Sequence, residues 1–362
     1  MQLVSIINKL ASFENDIDFP KLWKRGAVVS VLLVVLSLGA IFGLTLNLGI
    51  DFEGGSAWEV PAPGVTVADA RDVLRPLGEE NAKIQIVGDD TLRVQAETVD
   101  DVQRNEITDA LAELAGVERA EVSVSTVGPT WGEEISSKAL RALIVFFVLI
   151  SAYIWIRLEW KMAVGALVAV LHDLIICVGV YALFQFEVTP ATVIAFLTIL
   201  GYSLYDTIVV YDKVAENANR SGLAGKMTYT EMMSLSLNQV LMRSLNTTLT
   251  SIMPILAMLI VGSFILGAVT LQEFSVALLV GLISGAYSSI FVATPLVAWL
   301  KEREPEYRSI RARLEGTEAR KARNDDDRND GEGRTAKVGS GTAPTLSGRA
   351  IPARPRKQGK RR

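Results

Sequence analysis

Long apolar runs broken by short polar punctuation dominate this chain, and their lengths fix the first reading. Six runs are long enough to cross a hydrocarbon layer of ~30 Å, which takes about 20 residues as a helix. They cover 26–48, 139–156, 162–186, 190–211, 249–269 and 274–300. One long segment without such a run, 49–138, separates the first span from the second. Its pattern shifts between period two and the helical period. Residues 56–60 alternate as a strand, and 66–77 have helical spacing with Thr66 as N-cap and Asp69 three residues on. Residues 83–87 and 91–96 alternate again around Gly88-Asp89-Asp90, a hairpin signal. A helix is expected over 99–115, with Val102, Ile107, Leu111 and Leu114 on one side, and a last strand over 119–127. The order βαββαβ is that of a split βαβ, or ferredoxin-like, sandwich. The fold class that follows is an α-helical polytopic membrane protein of six transmembrane helices carrying one α+β ferredoxin-like domain.

Composition agrees. Half of the 362 residues are hydrophobic and the mean hydropathy is +0.32, with charge gathered in a few blocks. Lys21, Lys24 and Arg25 precede the first span, Arg157 and Lys161 separate the second from the third, Lys213 and Arg220 follow the fourth, and Lys301 and Arg303 follow the sixth. These flanks share one face if the N-terminus is cytoplasmic; Lys138 and Arg141 run against the bias and are outnumbered. Both termini are then cytoplasmic, in the inner membrane, and 49–138 is extracytoplasmic. The first span begins too late and is too long to read as a cleaved signal peptide. Residues 1–25 read as an N-terminal arm. Residues 301–362 hold 18 bases and 10 acids and few large apolar side chains, so they read as a basic, disordered cytoplasmic tail, solvated or in contact with anionic lipid or ribosomal RNA. No specific nucleic-acid signal is present.

Chemistry must therefore be sought among polar residues inside the spans. There is one histidine, one cysteine (Cys177, read as packing), no Gly-Lys-Thr phosphate loop and no metal-ligand spacing, so no enzyme, cofactor or metal site is expected. Asp206 is the one carboxylate between Thr189 and Tyr211. An aspartate at mid-membrane costs about 2.5–3.5 kcal/mol on insertion scales, which makes it a proton- or ion-path candidate by default. Thr198, Tyr202 and Asp206 share a helix face, and Ser203 lies one turn away. Arg243 stands in a polar stripe with Gln239, Asn246, Thr247 and Thr250. It either snorkels at the interface or packs against an antiparallel neighbour whose Asp206 supplies the counter-charge. His172-Asp173 sits in the middle of the third span, as a structural hydrogen-bonding pair or a proton relay. In each case the plain alternative is helix packing through polar bonds.

Several motifs, in order, resemble the SecD/SecF family of the bacterial Sec export machinery, within the RND transporter superfamily. They are Leu48-Gly49-Ile50-Asp51-Phe52-Glu53-Gly54-Gly55, Val127-Gly128-Pro129 with Gly132-Glu133-Glu134-Ile135, Leu171-His172-Asp173, the run from Gly201 to Asp212, and Ser236-Leu237-Asn238-Gln239 through Arg243. Phe52 favours the SecF side over SecD. Tyr205 departs from the family's asparagine before the fourth-span aspartate, and the tail after Glu306 lies outside the family core. The resemblance implies half of an RND-type bundle, with SecD supplying the other half. It implies SecYEG, an exported polypeptide and a small YajC-like subunit as further partners, and proton motive force driving late-stage export. It also implies Asp206 and Arg243 as acid and base of a proton path, and Asp51, Gly54 and Gly55 as the hinge or turn below the outer domain. The rivals are half of an RND-type small-molecule or lipid exporter and a passive membrane scaffold.

Overall fold

The structure, a computed structural model, describes residues 17–88, 90–97, 100–220, 225–265 and 268–317. Helix α1, Phe19–Leu44, opens with Pro20 in its first turn and the Asp18 carboxylate accepting from the Lys21 amide. The chain then forms a two-residue strand β1, Asn47–Leu48, and a helical turn, Ile50–Glu53. An inserted domain follows: β2 Gly55–Pro61, α2 Val67–Leu74, β3 Lys83–Val87, β4 Thr91–Ala96, α3 Asp101–Ala115 and β5 Ser123–Val127. After it come α4 Pro129–Arg157, α5 Trp160–Phe184, β6 Glu187–Val188, α6 Pro190–Asn219, α7 Tyr229–Leu259, α8 Val269–Ser288 and α9 Thr294–Lys301. A π-helical turn, Ser289–Ala293, joins α8 to α9, so that Thr270–Lys301 forms one membrane-length helical run.

Six helical stretches among the described residues are long and apolar enough to cross a membrane, and this is a multi-pass membrane protein. The helices overrun the apolar stretches that announce them. The first starts at Phe19, not 26, and Phe19 and Trp23 are buried in the bundle. The second starts at Pro129, the fourth runs on to Asn219, and the fifth begins at Tyr229 behind a Thr228–Glu231 capping box. Hydropathy marks where lipid surrounds a helix, whereas caps and prolines mark where the helix stops. The expected unstructured tail also needs correction at its start. Residues 305–317 are helical, and the Tyr307 ring packs edge-on against Tyr229 at 4.9 Å. Alternating Glu and Arg side chains support a helix there without any apolar run. Residues 312 onward form a separate unit, and the rest of the expected arm and tail, 1–16 and 318–362, lies outside the described residues.

Helices α5, α6 and α8 form the inside of the bundle; α4 leaves nearly all of its apolar surface uncovered, and α7 is buried at intervals from Tyr229 to Ser244 and largely uncovered beyond it. The inner helices approach closely at small residues. A Cβ on Gly179 would overlap Ser37 of α1, and one on Gly285 would come 3.0 Å from Ser203 of α6. In the inserted domain an antiparallel sheet of order β3-β4-β2-β5 carries the buried Trp58, Val60, Leu92 and Val94. These pack with Leu74 of α2 and Ile107 and Leu111 of α3. The Trp58 indole N–H donates to the buried Thr108 hydroxyl at 2.9 Å. At the foot of the domain β1 and β6 pair in parallel, Asn47 with Glu187 and Leu48 with Val188.

Candidate functional site

Asp173 lies in the middle of α5 with no exposed surface, and three hydroxyls from two other helices converge on it. Ser203 of α6 donates to its Oδ2 at 2.6 Å, Ser288 of α8 to Oδ2 at 2.7 Å, and Ser284 of α8 to Oδ1 at 2.7 Å. Ser284 and Ser288 are four residues apart, hence on one helix face, which is why both reach the same carboxyl group. His172, though adjacent in sequence, turns its Nδ1 back to 3.2 Å from Asp173 Oδ1. Its ring stacks on Tyr287, with centroids 6.2 Å apart. The Tyr287 hydroxyl donates to the Gly26 carbonyl of α1 and accepts from Ser30. The His172 Nε2 is buried and has no partner among the described residues. Interhelical bonds in membranes are worth about 0.6 kcal/mol each, and up to ~1.7. Three hydroxyls thus offset most of the ~2.5–3.5 kcal/mol that a mid-membrane aspartate costs.

Asp206 of α6 forms a second, smaller centre. Both of its oxygens lie 2.7 Å from Ser244 Oγ of α7. The next residue, Thr207, shares a bond with Ser289 of the π-helical turn at 3.1 Å. π turns widen a helix by one residue and recur at functional sites; this one begins directly after Ser288, a partner of Asp173. Arg243 precedes Ser244 and therefore points about 100° away around the helix. It is exposed, and its Nη2 donates to the Tyr205 hydroxyl at 3.2 Å rather than to Asp206.

The structure thus redistributes the residues expected to act together. Ser203 serves Asp173, not Asp206. Tyr202 bonds the Thr247 carbonyl and Ser251 across the α6–α7 contact. Gln239 accepts from Asn217. Thr247 and Thr250 donate back to carbonyls of their own helix, those of Arg243 and Asn246, and Asn246 is exposed. Ser244, Ser284, Ser288 and Ser289 escaped the sequence reading, although the Ser284–Ser288 spacing in an apolar span is a legible signal.

The junction with the inserted domain is a braced turn. Gly54 and Gly55 have φ of +82° and +115°, and a Cβ on Gly55 would overlap the Ala96 carbonyl oxygen, so both positions need glycine. Gly54 N–H bonds the Ile50 carbonyl, which closes the turn that contains the half-buried Asp51. Lys83 Nζ ties it to the sheet through the Leu48 carbonyl and Glu53, at 3.1 and 2.8 Å, and Ser136 of α4 donates to the Phe52 carbonyl.

Comparison with known proteins gives one consistent answer. The family described as protein export membrane protein SecD/SecF, C-terminal, matches residues 106–303. A protein translocase subunit SecF from Streptomyces coelicolor is 40% identical over 302 residues, which is 83% of this chain and 81% of that protein. One from Rhodothermus marinus is 34% identical over 82% of this chain and 98% of its own length. The crystal structure of SecDF from Thermus thermophilus, a translocon-associated membrane protein, superposes with a TM-score of 0.73 at 34% identity. The match covers 80% of this chain and 39% of that one, so this chain spans about two fifths of the SecDF polypeptide. From residue 106 through the sixth span by the family match, and over most of its length by its relatives, the chain belongs to the SecD/SecF family of protein-export membrane proteins, on the SecF side.

Proposed function

We propose that this chain is an auxiliary subunit of the Sec translocase that works with SecD beside the SecYEG channel. It uses proton motive force to promote the late stage of export of a polypeptide across the cytoplasmic membrane. The observation that carries the reading is the pair of buried carboxyl groups, Asp173 and Asp206, on adjacent inner helices and held by hydroxyl groups rather than by cations. A packing role alone would not require two intramembrane acids at such cost. That a relative joins SecD and SecF in one SecDF chain supports SecD as the partner. The uncovered face of α4 and the stretch of α7 beyond Ser244 are surfaces on which a second six-span half would sit. The lysine and arginine flanks support an orientation with both ends cytoplasmic. The strand order and antiparallel pairing of the inserted domain support a ferredoxin-like module outside the membrane. The chain makes and breaks no covalent bonds in this role, and the proton is its only coupling ligand.

Arg243 and Ser244 give the mechanism a geometric form. Ser244 now faces Asp206, and Arg243 is one position away on the same helix. A rotation of α7 by one residue's angle, about 100°, exchanges the hydroxyl for the guanidinium. An ionised Asp206 favours the guanidinium and a protonated one the hydroxyl, so proton arrival and departure drive α7 between two packings. One charge moved through 100 mV supplies about 2.3 kcal/mol, enough to bias such an equilibrium roughly fifty-fold. The test replaces Asp206 by Asn in cells depleted of the native copy and follows a secreted protein by pulse-chase, with membrane level and SecD co-purification checked. Export slowed several-fold in an intact complex is expected. Normal export at equal abundance removes Asp206 from the proton path.

A further inference from the structure

Outside the two aspartate centres, one group of charges is buried where the inserted domain meets the helical bundle. Arg93 of β4 reaches out of the sheet and places Nη2 3.1 Å from Glu187 Oε1 and Nη1 3.1 Å from Glu273 Oε1. Glu187 belongs to β6 and Glu273 to α8, so one side chain of the domain is gripped by two elements of the bundle. The side chains of Arg93, Glu187 and Glu273 are 11%, 2% and 9% exposed. The receptor side is preformed. The β1–β6 ladder fixes the Glu187 backbone opposite Asn47, and a Cβ on Gly49 would overlap the Glu187 carboxyl. The Tyr181 hydroxyl donates to the Glu273 carbonyl at 2.6 Å.

The charges do not balance. Two carboxyl groups share one guanidinium, while Glu187 Oε2 and Glu273 Oε2 are buried and have no partner among the described residues. Glu59 of β2, 3.7 Å from Arg93 Nε and more exposed, adds to the acid excess. The other groups that act on the cluster are Lys83 of β3 and Asp51 of the turn, one of each sign, with Gln95 of β4 and Thr189 as neutral neighbours. Two buried carboxylates facing a single cation form a site that one proton completes.

We propose that Arg93, Glu187 and Glu273 form a proton-holding latch: two acids of the bundle share one arginine of the inserted domain and one proton, and the domain stays docked while that proton is bound. Burial pushes the Glu187 carboxyl up despite the lowering pull of Arg93. The docked state therefore binds more protons than the undocked one, and docking weakens as pH rises through the docked-state value. With one proton linked, the docking equilibrium changes by at most about tenfold per pH unit in that window. The latch stands on this geometry alone and does not depend on proton flux through the aspartate centres.

The experiment uses the full chain in proteoliposomes with the same pH on both sides. Spin labels are placed through Glu106→Cys on α3 and Phe184→Cys at the end of α5, with Cys177→Ser to remove the native thiol. Electron–electron distances are read from pH 6 to 9. The latch predicts a narrow distribution at low pH that broadens and lengthens as pH rises, by up to tenfold in the open fraction per unit. Glu187→Gln with Glu273→Gln, which mimics the protonated pair, is expected to stay narrow throughout, and Arg93→Ala broad throughout. A pH-independent distance in the unsubstituted cluster overturns the proposal, as does an undiminished pH response in the double Gln variant. If Arg93→Ala fails to insert, the Gln variant decides.

Discussion

Ser203 on α6 donates to Asp173 on α5 at 2.6 Å, three residues before Asp206 on the same helix. One turn of α6 therefore touches both buried acids, and a shift of that turn is felt by both centres. Ser203→Ala removes one of three hydroxyl donors to Asp173. The expected cost is about 0.6–1.7 kcal/mol, read as a lower melting temperature of the purified membrane protein. Ser284→Ala with Ser288→Ala removes two donors on one face and should cost more than either alone. A melting temperature unchanged in the double variant contradicts the assigned bonds.

Trp58 anchors the inserted domain through both its area and its N–H bond to Thr108. Trp58→Phe keeps much of the apolar area, frees the Thr108 hydroxyl of its donor and leaves a small gap. The domain should lose about 1–3 kcal/mol, seen as faster hydrogen exchange in β2 and α3.

Gly55→Ala meets a positive φ and the Ala96 carbonyl together. Strain of order 1–3 kcal/mol is expected, and protease sensitivity of the 55–127 region should rise. Gly39→Ala, in α1 with open space around its Cβ position, serves as the silent control.

The start of α2 should be acid-labile. The Thr66 hydroxyl and amide donate to Asp69 Oδ2 at 2.7 and 3.0 Å, and they hold that carboxyl below its usual value. A lowered carboxyl contributes stability above its unfolded-state value and loses it as pH falls through the folded one. Amides of the first turn of α2 should therefore exchange faster, relative to the intrinsic rate, as pH falls below the ordinary aspartate range, and Asp69→Asn should flatten that response.

Sequence pattern was most informative where one physical rule dominates. Span number follows from hydrocarbon thickness, and the strands 83–87 and 91–96 appear where alternation placed them, because a half-buried sheet imposes period two. Asp173 and Asp206 were visible because a charge in an apolar run is costly and therefore stands out. Their partners were less legible. Serine is common in packed spans, so Ser244 carries no mark of its role until helix rotation is known, and the Ser284–Ser288 spacing marks a face without naming its partner. Arg243 illustrates the same limit: its stripe fixes a helix face, but only packing shows that Ser244, one residue on, is the group turned toward Asp206. Glu187 and Glu273 lie 94 and 180 residues from Arg93, on an ordinary-looking strand and helix, and only the docking of domain on bundle brings the three together.

The central claim, that the buried acids carry protons, is tested most directly by proton flux. The chain is reconstituted with SecD in vesicles that enclose a pH-sensitive dye, and a pH gradient is imposed. Asp173→Asn and Asp206→Asn should each abolish the flux that the unsubstituted complex shows, while Glu106→Gln on the inserted domain leaves it unchanged. Equal flux in all of these, with equal protein in the vesicles, would contradict the account.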